Sequence, residues 1–348
     1  MTAARAALLV AVAFVALLAA SLYGWRERPQ IDGDVRAAAA GSYVRLRDGI
    51  THYDLLGDPG GDLVVFVHGF SSPMYVWGRL PRHLVDEGFQ VLRYDLFGRG
   101  FSDRPPVDYG LDLYERQLRG LLRAVGAPER VHLIGLSMGG AISVDFAARH
   151  PAEVGSLTLL APAGYPQPEP LAMRALRVPL LGELLLGAAG DRVLVGSNAR
   201  SVYDQSLVAD LERRFRIQLG YDGYLHAVLS TLRRVPFGKM QTTYRKAGSS
   251  KRPVLLIWGR EDEVLTIDAA KPMRAALRQP EFHAIPRAGH LVHLDRPDRV
   301  LPVVSDFLKR AWIGEGGAPP IDIVENGKRR RRDKWPRRRA PGITHHDH

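Results

Sequence analysis

The sequence predicts an α/β protein: a doubly wound, mostly parallel sheet with a helical insertion, preceded by an N-terminal transmembrane helix. Three observations lead there. Short apolar runs recur along residues 42–312, each the length of a strand buried on both faces. Segments with helical spacing alternate with several of them, the pattern of a sheet covered by helices on both sides. One interval, about 166–250, breaks the alternation and carries only helical spacing.

Taken in order, Ala6–Trp25 is apolar apart from Ser21 and has Tyr23 and Trp25 at its far end. Twenty residues of helix span a bilayer core of about 30 Å, and terminal aromatics suit its interface. Residues 1–28 are therefore expected to be a single-pass membrane anchor, of undecided side. The rival is a secretory signal, with Ala19 and Ser21 as small residues before a cut; a buried helix of a folded domain is the remaining alternative. Residues 29–41 read as a linker. Tyr43–Arg47 and His52–Leu56 form a predicted hairpin around Asp48-Gly49. Apolar runs follow at Leu63–Val67, Val91–Tyr94, Val131–Gly135, Leu157–Leu160 and Val254–Trp258. Helices are predicted over Leu111–Val125, Met138–Arg149 and Asp298–Trp312. The second of them stops at His150-Pro151, because proline disfavours helix in the residue before it. Within the insertion, Leu207–Tyr221 and Tyr224–Leu232 have helical spacing.

The chain has 348 residues, 48 Lys plus Arg, 37 Asp plus Glu and no Cys. Absence of Cys excludes disulfides, Cys-zinc sites, iron–sulfur clusters and a thiol nucleophile. The net charge of +11 is uneven: residues 328–348 hold nine Lys/Arg against Asp333 and Asp347, a balance of +7. Such a block cannot collapse on itself, so 313–348 is expected to be a disordered basic tail. Its bland role is a solvated end; anionic lipid is the partner such a charge would favour. A nucleic-acid protein would carry its basic face on the folded part, which here is nearly neutral. His345, His346 and His348 suggest no metal site.

The most informative motif is Gly135-Leu136-Ser137-Met138-Gly139-Gly140, set between a strand and a helix. Small residues on either side allow a sharp elbow that exposes Ser137. A serine hydroxyl needs a base, and the base an orienting acid. His290, in Arg287-Ala288-Gly289-His290, follows the last strand in a loop and is the predicted base; His293 is the weaker choice. Asp262 follows the strand ending at Gly259 and is the predicted acid, with Glu261 and Glu263 read as solvated charges. A tetrahedral intermediate needs donors for its oxyanion. The Met138 N–H supplies one, and the Phe70 N–H of His68-Gly69-Phe70 the other. His68 itself reads as a structural hydrogen-bonder holding that loop.

These motifs, HGF at 68–70, YDLFGRGFSD at 94–103, GLSMGG at 135–140, WGREDEV at 258–264 and AGH at 288–290, resemble the α/β-hydrolase superfamily of serine esterase and lipase type. The resemblance covers about residues 42–312 and makes the insertion a lid. It implies that the Asp95-led Gly98-x-Gly100-x-Ser102 turn is structural and braces the oxyanion loop. It implies acyl transfer to water and requires no cofactor. Ser137 separates the chain from dehalogenases and epoxide hydrolases, which use Asp there. The elbow with an HGF loop is similar to bacterial carboxylesterases and monoacylglycerol-lipase-like enzymes. Carbon–carbon bond hydrolases of aromatic breakdown share the elbow, although their oxyanion loop typically begins Ser-Gly; cofactor-free perhydrolases share the triad. Lid residues Met173, Leu176, Val178, Leu180, Leu181, Leu184, Leu185, Leu186, Val193 and Leu194 favour an apolar ester, since ligand sites are mostly apolar. A non-catalytic binding protein of this fold would have lost a triad member, and none is missing here.

Overall fold

A computed structural model describes residues 3–311 together with 324–325 and 328–329. Two helices lead, α1 (Ala3–Gly24) and α2 (Gly33–Ala38). The hairpin β1 (Ser42–Arg45) and β2 (Ile50–Leu56) follows, then β3 (Leu63–Val67), α3 (Leu80–Asp86), β4 (Gln90–Tyr94), α4 (Leu111–Ala124), β5 (Val131–Leu136), α5 (Met138–Arg149) and β6 (Val154–Leu160). The cap comprises α6 (Leu171–Arg177), α7 (Leu181–Ser201), α8 (Val208–Leu219), α9 (Tyr224–Arg234) and α10 (Gln241–Gly248). The chain returns to the sheet with β7 (Val254–Gly259), α11 (Ala270–Ala276), β8 (Glu281–Ile285), α12 (Val292–Asp295) and α13 (Pro297–Arg310).

Eight strands form one sheet in the order β1-β2-β4-β3-β5-β6-β7-β8. β2 runs antiparallel to β1 and β4; the other neighbours are parallel. All five residues of β3 and all six of β5 are buried, as expected of strands covered on both faces. One face packs on α4, α5, α10 and α11, with Leu113, Tyr114, Leu118, Met138 and Tyr244 in its core. The other packs on α3 and α13 around Trp77, Phe66 and Val304. A third cluster lies inside the cap and centres on Leu186, Phe215, Tyr224 and Leu229.

The predicted apolar runs lie within strands at closely similar bounds, except that β6 starts three residues earlier, at Val154. β8 escaped the reading of apolar runs because it is an edge strand whose sequence, EFHAI, is only partly buried.

The N-terminal segment requires a correction. Among the described residues, no helix is long and apolar enough to cross a membrane, so the expected anchor and membrane location are overturned. The C-terminal end of α1 is engaged by the cap instead. A side chain on Gly24 would fall 1.7 Å from the Gly187 carbonyl oxygen, so the backbones of α1 and α7 touch there. Ser21 is buried. Trp25 donates from Nε1 to the Glu183 carbonyl at 2.8 Å, and Arg28 pairs with Asp191 at 3.0 Å. Of the residues read as a bilayer-facing or cleavable end, Trp25 and Ser21 are thus packing residues of the cap layer, whereas Ala19 and Tyr23 are exposed. The basic tail lies outside the described residues, apart from Lys328–Arg329, which pairs antiparallel with Val324–Glu325.

Candidate active site

The site forms at the carboxyl ends of β3, β5, β7 and β8. Ser137 sits between β5 and α5 with φ 54° and ψ −118°. A non-glycine residue held there costs about 1–3 kcal/mol, and such strain persists only when the surroundings over-determine it. Its surroundings do so. The Ser137 N–H donates to the Leu160 carbonyl at 2.9 Å, and its own carbonyl accepts from Gly140 and Ala163 at 3.0 and 2.9 Å. Any side chain on Gly139 would lie 1.9 Å from the Val67 carbonyl oxygen, so glycine lets α5 begin directly against β3. Met138 opens α5, and its N–H is among the donors a helix leaves unfilled.

The His68-Gly69-Phe70 loop lies beside the serine: a Cβ built on Gly69 would stand 3.4 Å from Ser137 Cβ and 4.0 Å from Oγ. His68 is fully buried, and burial lowers its pKa to about 4, so it is neutral. Its Nε2 accepts from the Leu96 N–H at 2.9 Å, which leaves the proton on Nδ1, 2.9 Å from the Gly69 carbonyl oxygen. Carbonyl and N–H of one planar peptide unit point in opposite directions. The bond to Gly69 therefore also sets the direction of the Phe70 N–H. Arg99, buried below, donates from Nε to the Phe70 carbonyl at 2.8 Å and from Nη2 to Thr231 at 3.0 Å.

Asp95 braces the same region. It accepts from His52 Nδ1 at 2.7 Å, Met74 N–H at 2.8 Å and Phe101 N–H at 3.0 Å. Burial alone would push this carboxyl up, but the His52 bond and charge more than offset it and hold it below the ordinary range. The same partnership raises His52 against its own burial.

Asp262 and His290 meet. Asp262 Oδ2 stands 2.8 Å from His290 Nδ1, while Oδ1 accepts the Val264 and Leu265 N–H groups at 2.8 and 2.9 Å. Both residues are buried. An imidazole so held by Nδ1 keeps Nε2 for another partner. His293, the weaker base choice, is used differently. Its Nε2 lies 2.8 Å from the Val76 carbonyl oxygen, and burial lowers its pKa to about 4. Glu261 and Glu263 are both exposed, as read, but Glu261 also holds the backbone. Its Oε2 accepts from the Ala288 N–H at 3.0 Å, and its N–H donates to the Ala288 carbonyl at 3.0 Å. Glu261 thus stitches the acid turn to the loop of His290. Arg99 and Glu261 are supports that sequence reading missed; both lie inside the quoted motifs at 94–103 and 258–264, which was their only signal. Among the described residues no group of three or more His, Asp or Glu is placed to hold a metal ion.

The cap reaches this site through Phe70, which packs on the cap cluster and meets Phe237 edge to face at 5.7 Å. Of the lid residues expected to line a cleft, Leu186 is buried and Leu176 and Leu194 pack on that cluster. Val178, Leu180, Leu181 and Val193 face solvent.

Residues 62–297 match the sequence profile of the alpha/beta hydrolase fold family. A 2-hydroxy-6-oxononadienedioate/2-hydroxy-6-oxononatrienedioate hydrolase from Dechloromonas aromatica is 31% identical over 283 residues, covering 78% of this chain and 96% of its own. A monoacylglycerol lipase from Xenopus laevis is 25% identical over 305 residues, covering 82% and 86%. A thermophilic esterase from Thermogutta terrifontis superposes with a TM-score of 0.67 at 21% identity, covering 78% of this chain and 99% of the esterase. That last likeness concerns the fold.

Proposed function

This chain belongs to the alpha/beta hydrolase fold family, and from that premise we propose that it hydrolyses carboxylic esters of apolar acyl chains through an acyl-enzyme on Ser137. The observation that carries the reading is the serine on its positive-φ elbow, with the Gly69 backbone against its side chain. The bonded Asp262–His290 pair supplies the rest of the machinery. In this reaction His290 Nε2 takes the Ser137 proton as Oγ attacks the ester carbon. Asp262 keeps the imidazole oriented and stabilises it once charged. The Phe70 and Met138 N–H groups stabilise the oxyanion, each worth about 2.7–4 kcal/mol. The proton then passes from His290 to the leaving alcohol, and water repeats the sequence on the acyl-enzyme. Apolar contact from Phe70, Phe237 and the cap cluster supports an apolar acyl group.

A second reading has its own support. The Dechloromonas relative is named as a 2-hydroxy-6-oxononadienedioate/2-hydroxy-6-oxononatrienedioate hydrolase, and the same serine-histidine-aspartate set would serve carbon–carbon bond cleavage of such a compound. The His-Gly start of the oxyanion loop favours the ester reading. One panel decides: monoacylglycerols and p-nitrophenyl esters of increasing chain length, beside a 2-hydroxy-6-oxo-dienoate. Turnover of medium-chain esters at least about 10²-fold above the dienoate is expected. The reverse order would transfer the chain to the second reading.

A further inference from the structure

Asp295 ends α12, five residues beyond His290, and its carboxylate gathers N–H groups from two separate parts of the molecule. Oδ2 accepts from Gly289, the residue before His290, at 2.8 Å. The Asp204 N–H donates to Oδ1 at 2.9 Å, and the Tyr203 N–H lies 3.0 Å from both oxygens. Tyr203 and Asp204 follow directly on α7 of the cap. The junction is closed further by the Leu291 N–H, which donates to the Ser201 carbonyl at 2.8 Å. It is tight at 289, where a Cβ would stand 3.1 Å from the Tyr203 nitrogen and 3.3 Å from the Ser201 oxygen. The acid turn is held by the same end of α7, since Arg200 Nη2 donates to the Glu263 carbonyl at 3.0 Å.

The two residues flanking His290 are therefore both hydrogen-bonded to the end of α7, one directly and one through Asp295. We propose that Asp295 is a positioning residue that ties the His290 loop to the cap, so that the placement of the base depends on the placement of α7. Displacing the end of α7 would pull on Gly289 and Leu291 together and move the imidazole away from Ser137. Cap and base thereby act as one unit, and an open cap has a weakened base. The proposal rests on His290 being the base of the reaction above.

The test uses the full chain and two variants, Asp295→Asn on the loop side and Tyr203→Pro on the cap side. The second deletes one N–H where Val202, at φ −128° and ψ 146°, already has the extended backbone that precedes proline. Two readouts are taken: the rate of Ser137 labelling by a fluorophosphonate, and the downfield proton resonance of the His290–Asp262 bond. In Asp295→Asn, labelling and kcat should fall up to about 10²-fold, the cost of about 1 Å of misplacement. KM should change by less than about threefold, and the downfield signal should broaden or vanish. Tyr203→Pro should give a smaller loss of the same kind, and the double variant should be no worse than Asp295→Asn alone. Folded Asp295→Asn with wild-type labelling and an unchanged signal would overturn the proposal, as would losses that multiply fully in the double variant. The signal needs no turnover. Absence of labelling in the wild-type chain would defeat the hydrolase reading, while the signal in Asp295→Asn would still decide whether the tie exists.

Discussion

Among the described residues, two serine–histidine–aspartate sets stand at opposite ends of the sheet. One is Ser137, His290 and Asp262. The other is Ser156 in β6, His132 in β5 and Asp62 ahead of β3. Ser156 Oγ lies 2.7 Å from His132 Nδ1, and Asp62 stands 3.5 Å from His132 Nε2. By residue type and spacing the second set looks as capable as the first. The differences lie in backbone and access. Ser156 is an ordinary strand residue in register with His132, and both have no exposed surface, so no acyl carbon can approach. The ring is also reversed: the serine meets Nδ1 and the acid faces Nε2, whereas Asp262 holds Nδ1 of His290. At Ser137 a strained elbow lifts the hydroxyl out of the sheet and brings a helix start and a glycine loop beside it. Chemistry here follows from presentation, and the inner set reads as packing polarity, tied by the Ser156–His132 hydrogen bond.

Paired substitutions would break that contrast or sharpen it. The largest expected effect is Ser137→Ala, which should abolish fluorophosphonate labelling and lower kcat more than about 10⁴-fold, while Ser156→Ala leaves kcat within about twofold. Equal losses in both would show that the inner set takes part. Asp262→Asn should lower kcat about 10⁴-fold, the loss expected when the imidazole is left in the wrong tautomer; near-normal turnover would move the acid role elsewhere. Ser156→Ala should instead register in denaturant titration. It strands a buried imidazole nitrogen, at a cost of about 1–3 kcal/mol, with activity of the folded fraction retained.

A further contrast concerns pH. His68 and His293 are held near pKa 4 by burial, below the ordinary 6.5. Between those values the unfolded chain takes up protons that the native chain refuses. The stability both contribute is therefore whole above about pH 6.5 and drains as pH falls toward 4, by at most about 1.4 kcal/mol per unit for each imidazole. Melting temperature should decline over that window, and His293→Gln should flatten the decline. A slope unchanged in that variant would show that His293 titrates normally.

Legibility in the sequence followed the range of the interactions. The Ser137 elbow, the His68–Phe70 loop and the Asp262 turn were readable as structural features because each is a local backbone device carried by consecutive residues. β8 was not, because an edge strand needs no continuous apolar run. Glu261 was missed because an exposed carboxylate and one bonded to a distant N–H look alike in one dimension. Asp295 sits in HLVHLDRP without any cue that the end of α7 lies against it. The N-terminal run shows the converse failure. Hydropathy over Ala6–Trp25 suggested a bilayer, yet Trp25 and Ser21 answer to partners on α7 more than 150 residues away.

By itself, the sequence determined the hydrolase fold, the serine at its elbow and the chain order of Ser137, Asp262 and His290, because strand–turn–helix junctions are specified within a few residues. Only the tertiary structure decided which of two serine–histidine–aspartate sets is presented, which carboxylates support the loops, and what the N-terminal helix packs against. Those choices rest on contacts between distant segments, and burial and access exist only once the chain has closed around them.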